Sequence, residues 1–223
     1  MSIIRDKDFK IKTEEQIGDE CFDIAIVNNF IDTKEAFVGH IFGNNNFHRF
    51  YKVDDAGNIK GFTVIEFSKV KDLVLCYIGI VFVHPSSQGQ GLSKELMSAS
   101  VEESGMNPDV IALRTQNPRM FDSFVANFEG ISFPNPKVQT PDEIVDIVSN
   151  LQCARDIHGI PNLSSDLIVR GAYPNAFVHQ SSRNSFGDSM CSLLSSEDAI
   201  IPTIITDTGK GKILSKELVE RVL

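Results

Sequence analysis

No run of 18 apolar residues occurs in this chain, and its first residues, Met1-Ser2-Ile3-Ile4-Arg5-Asp6-Lys7, contain no apolar core of the kind a secretory leader carries. Neither a membrane span nor a leader is therefore expected, and the protein is read as cytoplasmic. Cysteine is scarce: Cys21, Cys76, Cys153 and Cys191 stand far apart, mostly inside apolar stretches, without the paired spacing a zinc site needs. They are expected to be reduced core residues. His40, His48, His84, His158 and His179 show no ligand spacing among themselves or with cysteine, so no metal is expected. Basic clusters are missing too. Net charge is −9 and only Lys210-Gly211-Lys212 gathers cations, which argues against nucleic acid as the main partner. An acidic surface tolerates a cationic amine, although acidity also simply keeps proteins dispersed. There is no internal repeat and no low-complexity segment.

What is present is enough for one compact globular domain over 1–223. A chain of 223 residues with 42% hydrophobic and 23% charged residues buries a core without covalent staples. The densest signal lies at Tyr77 to Ser93, where the apolar run Tyr77-Ile78-Gly79-Ile80-Val81-Phe82-Val83 leads through His84-Pro85 into the turn Gln88-Gly89-Gln90-Gly91 and a helix from Leu92. Glycines at 89 and 91 let the backbone approach an anion, and the first amides of the helix point at it along the positive end of the dipole. The turn reads as a phosphate cradle. It is not a nucleotide P-loop, because no Lys followed by Ser or Thr closes it, and it is not a dinucleotide fingerprint, because Lys94 holds the place of the third glycine.

Val83-His84-Pro85 followed by Gln88-Gly89-Gln90-Gly91-Leu92-Ser93 resembles the acetyl-CoA signature of the GNAT superfamily of N-acetyltransferases. The resemblance implies an α/β (α+β) fold with a mixed, splayed sheet flanked by helices on both faces. It implies acetyl-CoA as co-substrate, its pyrophosphate on the amides of Gln88, Gly89, Gln90, Gly91, Leu92 and Ser93. Strand amides and carbonyls of Val81, Phe82 and Val83 would serve the pantetheine arm. Ser93 departs from the family's Gly or Ala but stays small. In the family a second strand then runs into an Asn-capped helix beside the thioester, matched here by Val110 to Thr115 and by Asn117-Pro118. Asn117, Phe121 and Phe124 are thereby implied as cofactor contacts; a plain N-cap role for Asn117 stands equally beside that.

The chemistry does not carry across intact. Many members place a proton-donating tyrosine where this chain has Phe124, and several place a glutamate base where it has Tyr77, whose unperturbed pKa of about 10 suits an acid better than a base. Tyr77 and Glu66 are the catalytic candidates, with a solvated, outward-facing role as the plainer reading of Glu66. His84 is read as structural more readily than as a base, and Arg114 as pairing with an acid or a helix end. The activity implied is transfer of an acetyl group to an amine, on a small molecule or a protein, by direct attack in a ternary complex. The alternative is an acyl-CoA sensor or scaffold without turnover. No nucleic acid or membrane partner is expected, and a homodimer is compatible.

Along the rest of the chain, Phe9 and Ile11 alternate with lysines as a first strand. Thr13-Glu14-Glu15-Gln16 is a capping box opening an apolar segment through Phe30, and Asp32-Thr33-Lys34-Glu35 starts a second helix. Phe50 to Val53 and Gly61 to Phe67 form a hairpin, and Leu73 to Val83 is the strand before the cradle. An insertion at about 135–165 exceeds the family plan. Its helix, near 140–158, takes Thr140 as N-cap and Pro141 at the first helical position, ends before Gly159 and Pro161, and is read as a lid or an oligomer face. Asp166 to Arg170 and Ile200 to Thr206 read as strands, with Pro202 confining the second to an edge or a strand start. Ser181 to Ser196 reads as a loop and Leu214 to Val222 as a tail helix.

Overall fold

The computed structural model describes residues 2–28, 33–43, 45–151, 163–169, 185–195 and 198–222. These form two compact units, one of Met1–Glu66 with Ile78–Gly105 and one of Phe67–Tyr77 with Met106–Leu223.

In the first unit, β1 (Ser2–Arg5) pairs antiparallel with β2 (Phe47–Val53), and β2 pairs antiparallel with β3 (Ile59–Val70). β3 turns at Lys71-Asp72, with Lys71 at φ 55°, into β4 (Leu73–Val83). Two helices, α1 (Glu14–Ile26) and α2 (Lys34–Phe42), cover one face of this sheet. Their Ile17, Cys21, Ile24, Phe37 and Ile41 pack with Phe62 and Val64 of β3 and with Ile80 and Phe82 of β4. The expected capping box of α1 is present, with Thr13 and Gln16 satisfying each other's backbone amides, and Thr33 caps α2 through the amide of Ala36. The other face carries α3 (Leu92–Glu103), whose Leu92 and Leu96 bury against Val83. α3 lies so close to β3 that a Cβ on Gly61 would stand 2.9 Å from the Phe82 carbonyl oxygen and 3.0 Å from Leu96 Cδ1.

In the second unit, β9 (Thr203–Thr206) lies antiparallel between β5 (Val110–Leu113) and β6 (Gly130–Phe133). The hydrogen-bonded strand order is β1-β2-β3-β4-β5-β9-β6, and β7 (Ile168–Val169) pairs with β8 (Ala199–Ile200) in a small separate sheet. Among the described residues of this unit the helices are α4 (Pro118–Val125), α5 (Asp142–Ser149), α6 (Phe186–Cys191) and α7 (Gly209–Val222). The start of α7 is fixed by Asp109, whose buried carboxylate accepts the amides of Gly211 at 2.9 Å and Val74 at 2.8 Å.

Several sequence expectations are corrected. The first strand is Ser2–Arg5 rather than the Phe9–Ile11 stretch. Asp6 accepts from Tyr51 at 2.9 Å and from Arg49 at 3.0 Å, which turns the chain out of the sheet, while Phe9 stacks at 5.5 Å on Tyr51 and Ile11 is 68% exposed. Pro141, not Thr140, holds the N-cap position of α5, and no side chain caps it. Ile144, Ile147 and Val148 of α5 are buried in the core with Val110, Ala112 and Ile205, so its apolar face is neither a lid nor an oligomer surface. Burial at about 1.5–3 kcal/mol per large aliphatic side chain makes this helix a main contributor to its unit. The segment read as a loop near 181–196 contains α6, opened by a capping box of Ser185 with Asp188. α7 begins at Gly209, five residues before the expected start, because Asp109 supplies the N-terminal acceptor. β6 has no counterpart among the expected strands, and Pro202 does stand at a strand start, immediately before β9. Phe30, Asp32, Cys153, His158, Gly159, Pro161, Arg170, His179, Ser181 and Ser196, which entered those expectations, lie outside the described residues.

Candidate active site: the turn between β4 and α3

The end of β4 is prepared for a turn by His84 and Pro85. His84 donates its amide to the Lys60 carbonyl at 2.9 Å, and its Nδ1 accepts the Ser86 amide at 3.2 Å with Ser86 Oγ at 2.7 Å. That bond requires Nδ1 to carry a lone pair, so His84 serves as the cap of the short 3-10 turn Pro85–Ser87, as the structural reading expects. The chain then passes through Gly89 at φ 78° and Gly91 at φ 79°, both left-handed, and a Cβ at either would meet nothing within 4 Å. Their glycine identity is favoured by the backbone conformation, and the space in front of them is open.

Gly91 is also the N-cap residue of α3, and no side chain caps that end. The first helical bond runs from the Glu95 amide to the Gly91 carbonyl at 3.1 Å, so the amides of Leu92 and Ser93 precede the helix's own ladder. Helix starts of this kind, whose leading amides no side chain caps, are general sites for anions. Nearby, the buried Lys52 donates to the Glu95 carboxylate, which ties the first turn of α3 to β2.

The turn is held by a side-chain network that sequence reasoning missed. Gln88 donates through Nε2 to Asn28 Oδ1 at 2.8 Å and to the Val83 carbonyl at 3.1 Å. Asn28, just past α1, donates through Nδ2 to the Ile24 carbonyl at 2.7 Å and to the same Val83 carbonyl at 3.1 Å. Both lone pairs of the Val83 oxygen are therefore used within this network. Only contact order hides Asn28, since its partner lies 60 residues on.

The remaining candidates are distributed as follows. Val81 and Phe82 are half-buried; Phe82 turns toward the α1 and α2 face, 5.7 Å from the Phe62 ring. Glu66, paired across the ladder with Phe47, is 7% exposed, so the solvated reading of this carboxylate is corrected. Tyr77 is 3% exposed and belongs to the apolar cluster of the second unit with Leu75, Val110 and Ala112. In that unit Asn117 is exposed and its side chain accepts the Arg119 amide at 3.0 Å, which is the N-cap role. Phe121 is sealed against Phe186, Met190 and Cys191 of α6, and Phe124 is fully buried with its ring 5.6 Å from Phe128. Cys21, Cys76 and Cys191 are buried and unbridged; burial pushes the Cys191 thiol up to about 12, leaving it a poor nucleophile.

No protein-family model matches this chain, and no curated protein matches it. Solved structures that it resembles include acetyltransferases. The ribosomal-protein-S18-alanine N-acetyltransferase from Escherichia coli is 14% identical, with 94% of this chain and 97% of that one covered, at a TM-score of 0.46. Tetrahymena GCN5 is 11% identical, with 64% and 84% covered, at 0.49. The NatC complex bound to Gag peptide and CoA contributes a chain that is 17% identical, with 63% and 89% covered, at 0.45. At these scores the likeness is one of general architecture and carries no weight for activity.

Proposed function

We propose that this chain is an acetyl-CoA-dependent N-acyltransferase of the GNAT type, acting on an amine acceptor by direct attack. The observation that carries this reading is the exposed turn from Gln88 to Ser93, with left-handed glycines at 89 and 91 and uncapped amides opening α3 at the end of β4. Those amides would hold the pyrophosphate of the donor, and the amide of Val81 would polarise the thioester carbonyl as that oxygen gains charge. The neutral amine forms the new C–N bond, the C–S bond breaks with its electron pair on sulfur, the nitrogen loses a proton to a base and the thiolate gains one from an acid. Glu66 is the proposed base, directly or through a water. Tyr77 is the proposed acid, with a phenol better matched to giving a proton than to taking one. Holding donor and acceptor together supplies much of the rate on this account.

A second reading, binding of an acyl-CoA without turnover, is favoured by one feature: Phe124 is fully buried and has no proton to give. Release of free thiol from acetyl-CoA in the presence of a panel of amines, measured beside coenzyme A thermal stabilisation, separates the two. The enzyme gives both turnover and a melting shift of about 5–10 °C at 100 times Kd, and the sensor gives the shift alone. Absence of both contradicts the cradle assignment itself.

A further inference from the structure

The geometry points to Asn28 as a positioning residue for the donor site, a clamp that fastens the C-terminal turn of α1 to the first residue of the phosphate turn. This rests on the reading of the turn as a coenzyme A site. Four hydrogen bonds close the arrangement. Gln88 Nε2 spends its two protons on Asn28 Oδ1 (2.8 Å) and the Val83 carbonyl (3.1 Å), and Asn28 Nδ2 spends its two on the Ile24 carbonyl (2.7 Å) and the Val83 carbonyl (3.1 Å). All four amide protons of the two side chains are thus matched to acceptors, so the pair locks Gln88 in one rotamer and fixes where Gly89 begins.

The identity of residue 28 follows from this count. Position 28 must present one acceptor to Gln88 and two donors to main-chain carbonyls at once, and among side chains of this length only asparagine does. Aspartate keeps the acceptor and loses both donors, and it sets a carboxylate against the Ile24 and Val83 oxygens. Alanine loses everything. The chain beyond Asn28 leads to α2, so the same clamp joins the donor turn to the helix pair packed on the opposite face of β3 and β4.

The test is coenzyme A affinity by titration calorimetry, with acetyl-CoA turnover kinetics, on the full chain and on Asn28→Ala, Asn28→Asp, Gln88→Glu and Asn28→Ala/Gln88→Glu. The clamp predicts that Asn28→Ala weakens coenzyme A roughly 3- to 30-fold, the loss of a few cooperating hydrogen bonds, with Asn28→Asp at least as weak. It also predicts that the double variant is no weaker than the worse single one, because each change breaks the same network. In kinetics of the two Asn28 single variants KM for acetyl-CoA rises while kcat and KM for the amine hold, a split that general loosening of the fold would not give. If Asn28→Ala fails to fold, Asn28→Asp and the exposed Gln88→Glu carry the test. Coenzyme A binding by the parent with unchanged affinity in the single variants, or with losses that multiply in the double one, overturns the clamp and leaves the site reading intact. Absence of coenzyme A binding by the parent overturns the site reading and the clamp together.

Discussion

Substituting Gly91 by glutamate separates what the turn does for the fold from what it does for a ligand. Gly91 sits at φ 79° with nothing within 4 Å of where a Cβ would stand, so the new side chain meets no steric obstacle in the free protein. The cost to folding is the left-handed conformation, about 1–2 kcal/mol for a residue with a Cβ. A carboxylate at the start of α3 returns about 0.3–1 kcal/mol from the helix dipole. The variant should therefore fold with about 1 kcal/mol less stability and melt about 2–4 °C lower. Binding should suffer far more. A carboxylate about 5 Å from a phosphate costs roughly 0.8 kcal/mol at the dielectric of water and roughly 3 kcal/mol at an effective value of 20, which is about 4- to 250-fold in Kd before steric blocking is added. Gly91→Asn is the control, since asparagine tolerates the left-handed region and carries no charge; it should stay within several-fold of the parent. Calorimetric titration of coenzyme A at 0.15 M salt reads all three proteins, and the charge part of the defect should shrink as salt rises. Coenzyme A binding to Gly91→Glu at the parent's affinity would refute the placement of the phosphates.

Three further expectations follow from the packing and electrostatics. Gly61→Ala should cost about 1–3 kcal/mol in urea unfolding, because its Cβ would press on the Phe82 carbonyl at 2.9 Å and on Leu96; a neutral result would mean that α3 is not seated as described. His48 is held below its ordinary pKa by burial and then by the Arg5 and Arg49 charges, so the unfolded chain takes up its proton first. Stability should thus fall as pH drops through about 6.5 and below, and His48→Gln should flatten that slope between pH 7 and 5. An unchanged slope would place the acid sensitivity elsewhere. Tyr77→Phe should lower acetyl transfer while leaving coenzyme A affinity nearly unchanged, and unaltered kinetics on a true acceptor would reduce Tyr77 to a core residue.

The turn after β4 was legible in the sequence because its requirement is local: two glycines at fixed spacing after an apolar strand report a backbone conformation directly, and both are left-handed in the structure. The caps of α1 and α2 were legible for the same reason, since a capping box lies within four residues. What escaped depends on distant partners. Phe9 and Ile11 alternate with lysines as a strand would, yet Asp6, bound by Arg49 and Tyr51 from 43 and 45 residues away, ends the strand before them. The start of α7 depends on Asp109, some 100 residues upstream, and the role of Asn28 on Gln88. A serine-rich composition hid α6, although Ser185 and Asp188 carry a capping-box spacing. The seat of α5 in the core could not be read from its own periodicity, which gives an apolar face and not what covers it.

The account stands most directly on where coenzyme A touches the chain, and titration of the 15N-labelled protein with coenzyme A, followed by amide chemical shifts, measures that. The account predicts that the largest shifts fall on the amides of Gln88 to Lys94, with smaller ones at Asn28 and Val81, and that Gly91→Glu reduces them at the same subsaturating concentration. Shifts that leave the amides of Gly89, Gly91 and Ser93 unmoved while coenzyme A binds elsewhere would contradict it.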